Sequence, residues 1–186
     1  AYDPRKIHII VVDHLSKVRI PERGNRKTAN DDAADTLAEL RDYYGVAVLI
    51  VNQFNREIYK EEVDRLPGGV VPTETHFADS SAVIRNADLV LGIIDAVRLQ
   101  DWNQGGYEAQ ALVNEKGYGT LRVVHVVKST YGGSGAKMGF SFVGKCGYFR
   151  SLPKADYMND ELYYLTLHEA HSWEGQTFEE YVAAAS

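Results

Sequence analysis

Two short apolar runs, IHIIVV over 7–12 and VAVLIV over 46–51, constrain this chain more than any other feature. Both are rich in β-branched residues and bounded by polar sequence, which is how strands buried on both faces of a parallel sheet read. Residues 16–28 (SKVRIPERGNRKT) hold five basic residues with Pro21 and Gly24, a solvated loop. A helix follows. Asn30 is placed to cap it, Asp31 and Asp32 suit its positive end, Ala33, Leu37, Leu40 and Tyr44 repeat along one face, and Gly45 stops it. Strand, helix, strand at this spacing is a right-handed crossover, so we expect an α/β fold with a mostly parallel sheet flanked by helices.

Residues 57–76 turn charged and then rich in Gly, Pro and Thr, a long excursion, and a short helix over 78–85 leads to a third buried strand over 89–94. The stretch 108–117 (EAQALVNEKG) reads as a short helix. Strands over 120–128 and 136–143 flank the glycine-rich turn YGGSG and predict a C-terminal antiparallel hairpin. The last forty residues carry aromatics without clear period and end in a small helix, TFEEYVAAA. No internal repeat is present.

The 186 residues, 45% apolar and 25% charged, suffice for one compact domain. Cys146 is the single cysteine, so neither an intrachain disulfide nor a paired-cysteine metal site can form, which fits a reducing compartment. No apolar run approaches the ~20 residues of a membrane span and no signal peptide is recognisable, so a cytoplasmic protein is expected. The net charge of −6 argues against a surface that coats itself with nucleic acid, so any phosphate contact must be local and shared between subunits. The chain opens on Ala1 and reaches an apolar strand by Ile7, as an internal piece of a longer protein does, or a processed or tagged chain.

Asp13 ends the first apolar run, the place where parallel sheets bind ligands and where a Walker B aspartate orients Mg²⁺ directly or through a water. An acidic residue that merely terminates a buried strand gives the same pattern. The second run ends in NQFNR over 52–56; an amide at a strand tip can bond both a γ-phosphate and a nearby loop and so report the phosphate, or can simply form a turn. GGSGAK over 132–137 and GNRKT over 24–28 look phosphate-friendly but lack P-loop spacing. His14, His76, His125, His168 and His171 show no metal-ligand spacing; the last two lie three apart without a third ligand.

Taken in order, the strand-Asp-x-Leu segment ending at Leu15, the helix-to-strand segment LAELRDYYGVAV and the strand-Gln-x-Asn-Arg segment resemble the DnaB family of replicative helicases. So do HFADSSAVIRNADLV, like that family's segment ending in Ala-Asp before a strand, and KSTYGGSGAKMGFSF, like its Lys-x-Arg hairpin with a following Phe-containing strand. The resemblance implies the C-terminal part of a RecA-like P-loop NTPase core: residues 1–150 as a partial domain lacking the Walker A half, and 151–186 as an extension packed on it or trailing it. It implies ATP and Mg²⁺ as cofactors, a homo-hexameric ring, single-stranded DNA as partner, and primase or a helicase loader as further partners in a bacterial or virus-infected cell. By the same resemblance Asp13 is the Walker B residue, Gln53 the γ-phosphate sensor and Arg56 a brace for the sensor loop. Lys128 matches the hairpin lysine that reaches the neighbouring subunit's ATP. Thr130 stands where the family has arginine and cannot carry charge, so either Lys128 acts alone or Arg122 or Lys137 substitutes. The family's DNA-contacting Asp-Leu-Arg-Glu-Ser-Gly segment falls on 76–81, where Ala78 replaces the arginine and Ser81 the glycine. Backbone amides and the hydroxyls of Ser80 and Ser81, beside Asp79, would then hold DNA phosphates, or these residues merely cap a helix. The family's phosphate-binding loop and general-base glutamate lie upstream of the Walker B strand and are not in this chain. A RecA- or KaiC-like ATPase that moves no DNA, and a noncatalytic RecA-like binding module, are the competing readings.

Overall fold

The computed structural model describes residues 6–17, 25–59, 69–77 and 81–175. The chain divides into two compact units, Ala1–Ile58 with Thr73–Val90, and Tyr59–Pro72 with Leu91–Ser186. In the first, strands β1 (Ile9–Asp13) and β2 (Ala47–Val51) pair in parallel, with Ile9 opposite Ala47 and Asp13 opposite Val51. Helix α1 (Arg26–Tyr44) makes the crossover. It starts earlier than its apolar period implies: Asn25, not Asn30, is the cap, its Oδ1 accepting the Thr28 N–H at 2.8 Å, and Asn30 is buried inside the helix. Gly45 ends it as expected, at φ 64, where a side chain would be strained, and its N–H donates to Arg41 O.

Helix α2 (Ser81–Asn86) lies against α1. Asp31 Oδ1 accepts the Ala82 N–H at 3.3 Å, Asp35 accepts from Asn86 Nδ2 at 2.6 Å and Arg85 at 3.2 Å, and Arg41 donates to Asn86 O and Asp88. These carboxylates on α1 satisfy donors on and around α2 that its short length leaves open.

The expectation that β1 and β2 are buried on both faces fails. Ile9, Val11, Leu49 and Val51 are 55%, 57%, 53% and 42% exposed, while their neighbours Ile10, Val12, Val48 and Ile50 are half-buried. Alternate residues of a strand point to opposite faces. One face is therefore packed, with α1 against β2, and the other is bare.

The second unit centres on a sheet of order β3-β4-β5-β6: β3 (Leu89–Asp95), β4 (Leu121–Ser129), β5 (Lys137–Val143) and β6 (Tyr148–Ser151). The hairpin is as expected, with β4 and β5 antiparallel and His125 opposite Lys137, but β5 also pairs antiparallel with β6, so antiparallel structure exceeds a single hairpin. Parallel pairing is described only for β1 and β2. The stretch read as a short helix over 108–117 holds only a 3₁₀ turn, Ala109–Leu112. Helix α3 (Asp160–Glu174) was not anticipated; it is capped by Asn159 and packs on β5 through the second unit's core. That core joins Tyr107, Ala109, Leu112, Leu121, Val123 and Tyr163. The expected helix over 177–185 lies outside the described residues.

Candidate functional site

β1 and β2 run in the same direction, so both deliver their C-terminal residues to one edge of the pair. Asp13 closes β1 and is exposed there; Gln53 follows β2 by two residues, also exposed. The loop at Gln53 is shaped locally, since Asn52 Oδ1 accepts the Gln53 N–H at 2.9 Å. It is also tied farther out: Asn55 N–H donates to His76 O (2.7 Å), Asn55 Nδ2 to Thr75 O (2.6 Å), and the Phe54 and Phe77 rings meet at 4.9 Å between centres, tilted by 51°, across an isolated bridge. Arg56, expected to brace this loop, is exposed on the 3₁₀ turn that follows it, and Phe54 and Asn55 tie the loop to the 73–77 turn.

The 73–77 turn at the other end of these ties is itself held. His76, buried, accepts the Thr73 N–H on Nδ1 at 2.9 Å, and its own N–H donates to Thr73 O at 3.1 Å. His76 is thus a turn-forming residue. Of the expected DNA contacts, Ser81 is exposed at the start of α2, while Asp79 and Ser80 lie outside the described residues.

Mg²⁺ takes one or two carboxylates and completes its shell with water and phosphate oxygens. Asp13, a single exposed carboxylate at a strand tip, fits that role, and the described residues hold no group of three His, Cys, Asp or Glu able to bind a metal alone. For the triphosphate itself the described residues offer no cradle. Residues 139–145 have Gly-x-x-x-x-Gly-Lys spacing, but Cys146 stands where a P-loop needs Ser or Thr, and much of the stretch is strand β5, whose backbone is engaged in pairing.

In the second unit, Lys128 is half-buried near the end of β4 and Thr130 is exposed in the turn beyond it. Arg122 cannot stand in for the missing arginine. Its guanidinium lies 2.9 Å from Asp95, donates to Gly119 O and Leu121 O, and sits 5.3 Å from the centre of the Phe142 ring; burial lowers its pKa and Asp95 partly restores it. Lys137, exposed opposite His125, remains on the hairpin.

No family model matches this sequence, and no curated protein does. Solved structures do. One, described as an ATPase domain, superposes with a TM-score of 0.61 at 16% identity over 81% of this chain. Another, a DnaB-like replicative helicase described with its interactions with primase, gives 0.62 at 15% identity, again over 81%. The chain shares the fold of part of each of these two structures. The chain spans 46% and 32% of the lengths of those two proteins. Among the described residues no helix is long and apolar enough to cross a membrane.

Proposed function

We propose that this chain is the Walker B and sensor half of the ATP-hydrolysing core of a hexameric replicative DNA helicase, which couples hydrolysis at subunit interfaces to movement on single-stranded DNA and duplex unwinding. The observation that carries the reading is the joint placement of Asp13 and Gln53 at the carboxyl edge of β1 and β2, beside a sheet face left bare. Parallel sheets bury both faces. A nucleotide-binding half that brought its own strand and helix would cover this face and complete the site at that edge.

Asp13 then orients the metal, which supplies charge neutralisation on the phosphates. Gln53 bonds the γ-phosphate, and the Phe54 and Asn55 ties pass its position to the 73–77 turn. Lys128 acts across the subunit interface, placing positive charge on the phosphoryl oxygens of a neighbour's ATP. Thr130 adds no charge. Asp79, Ser80 and Ser81 contact the DNA backbone, and primase or a loader docks on the assembled ring.

The 186-residue chain by itself is inert as an ATPase. In the complete protein, Asp13→Asn and Lys128→Ala each lower turnover by at least about a hundredfold. Mixing the two variants creates interfaces in which an intact Asp13 meets an intact Lys128, and part of the activity returns. Mixtures as dead as their parents, or a Lys128→Ala protein with wild-type turnover, would remove the interfacial role.

A further inference from the structure

Val70 is held by both of its backbone groups and by its side chain. Its N–H donates to Asp101 Oδ2 at 2.7 Å, its carbonyl accepts from Gln104 Nε2 at 2.9 Å, and the side chain is fully buried. Asp101 and Gln104 are buried too and bond to each other at 2.7 Å, and Gln104 Oε1 meets His125 Nε2 at 2.9 Å. Gly69, at φ 80, closes the clamp, because a Cβ there would run into the Asp101 carboxylate. Burying a carboxylate and an amide is costly unless their bonds are made. A half-made network of this kind strands buried polar atoms, so the clamp is either closed or open, with little between.

The clamp belongs wholly to the second unit, and the chain that leaves it enters the first unit at Thr73. There the 73–77 turn is bonded to Asn55 and bridged to Phe54, the two residues that follow Gln53. Val71 and Pro72 alone separate the clamp from that turn. Two residues span at most about 7 Å, and the proline fixes its own φ and narrows the choices of Val71. The turn is locked by the bonds that Thr73 and His76 exchange. A connector this short and stiff passes a displacement on instead of absorbing it. At the clamp, His125 stands on β4 three residues before Lys128, and a strand paired along its length moves as one piece.

We propose that residues 69–77 are a strap that couples the Gln53 loop to β4, so that a shift of the sensor loop opens the clamp of Asp101, Gln104 and His125 and reaches Lys128. The proposal rests on the helicase reading for what Gln53 and Lys128 act on. Under it, the γ-phosphate in a subunit's own site governs the lysine which that subunit offers to its neighbour, and this sets an order of firing around the ring. Asp101, Gln104 and His125 act through the strap and are positioning residues.

The test is native-state amide hydrogen exchange on the 186-residue chain, read residue by residue by NMR with no nucleotide added. Phe54→Ala/Asn55→Ala cuts the strap from the sensor loop and should speed exchange of the Val70 N–H about tenfold, within the ordinary range of coupling between sites. Gln104→Ala opens the clamp and should speed exchange of the Asn55 N–H by a similar factor, since a coupling free energy is the same read from either end. The first variant leaves every residue of the clamp in place, so it reads the coupling even if Gln104→Ala does not fold. The Gly139 N–H, bonded to Tyr107 in the second unit, should exchange in Phe54→Ala/Asn55→Ala as in the parent. Tyr163→Phe, which removes the hydroxyl that accepts the Glu108 N–H, should leave Asn55 unchanged. The Lys128 amide resonance should move in both strap variants. If each change speeds exchange only on its own side of Pro72, there is no coupling, and the helicase reading is untouched because no nucleotide enters the measurement. If Gly139 quickens in step with Val70, the unit loosens as a whole and the strap has no separate part. If the Lys128 resonance stays fixed, the link to Lys128 is wrong. Wild-type turnover by Asp13→Asn in the complete protein would instead remove the helicase reading and with it the strap's role in a ring, while the exchange result would stand.

Discussion

The β1–β2 pair and the core around β4 and β5 treat apolar side chains in opposite ways. On β1 and β2 the residues Ile9, Val11, Leu49 and Val51 stand in solvent, although the sequence there is as apolar as any in the chain. In the second unit a core forms around Tyr107 against β4 and β5, while Leu91 and Ile93 on β3 and Met138 on β5 stay exposed. Tyr107 is buried and its hydroxyl both donates to Pro153 O at 2.8 Å and accepts the Gly139 N–H at 3.1 Å. Gly139 must lack a side chain, because a Cβ there would lie 2.5 Å from the tyrosine ring. Beneath β4, Asp101 accepts the Val70 N–H and Gln104 Nε2, both at 2.7 Å, and Gln104 Oε1 meets His125 Nε2 at 2.9 Å. The β1–β2 pair leaves one apolar face in solvent, whereas β4 and β5 carry a packed core.

The sharpest way to break that contrast is to cut equal kinds of side chain from both. Tyr107→Ala should lower unfolding free energy by about 3–5 kcal/mol, since it opens a cavity and strands the Gly139 N–H and the Pro153 carbonyl. Chemical denaturation of the variant chain measures it. A loss below about 1 kcal/mol would mean that the second unit is not held by this core.

His125 offers a test through pH. Burial, assisted by Lys137, lowers its pKa to about 4, so it is neutral in the folded chain and its Nε2–H donates to Gln104. An unfolded histidine titrates near 6.5. Between those values the unfolded chain binds a proton that the folded chain refuses. This contribution to stability is therefore constant above pH 6.5 and falls as pH drops toward 4, by at most about 3 kcal/mol. His125→Gln keeps a donor for Gln104 and should flatten the acid limb of a denaturation series taken across that range. An unchanged acid limb would show that His125 is not the group responsible.

The smallest effect belongs to the bare face. Leu49→Ala should cost well under about 1 kcal/mol in the 186-residue chain, because the side chain is already in water. In a polypeptide that also carries the nucleotide-binding half, the same change should cost about 2–4 kcal/mol, as a buried leucine does. Equal losses in the two proteins would mean that nothing covers this face.

Much of this arrangement is legible in the residues. The two apolar runs, the crossover helix with Gly45 at its end, and the hairpin around YGGSG are read from local pattern and turn chemistry alone. Asp13 and Gln53 could be singled out because a strand tip followed by a polar residue is a local signal. Helix α3 was harder. Its inward residues Tyr163, Leu167 and Ala170 keep helical spacing, but Tyr164 and Leu165 are apolar and exposed and blur it; Asn159 with Asp160 and Glu161 was the signal that remained. The start of α1 was misplaced for a related reason. Asn30 looks like a cap from its neighbours Asp31 and Asp32, yet the Asp31 carboxylate serves α2, a purpose set by tertiary structure.

The sequence by itself determined β1, β2, the β4–β5 hairpin and the glycine that ends α1, since those depend on propensity and period within a few residues. Only the tertiary structure decided which face of β1 and β2 is covered, because apolar runs of that kind read the same whether both sides are packed or one waits for a partner. It also decided that Arg122 is committed to Asp95, a pairing that no local spacing encodes.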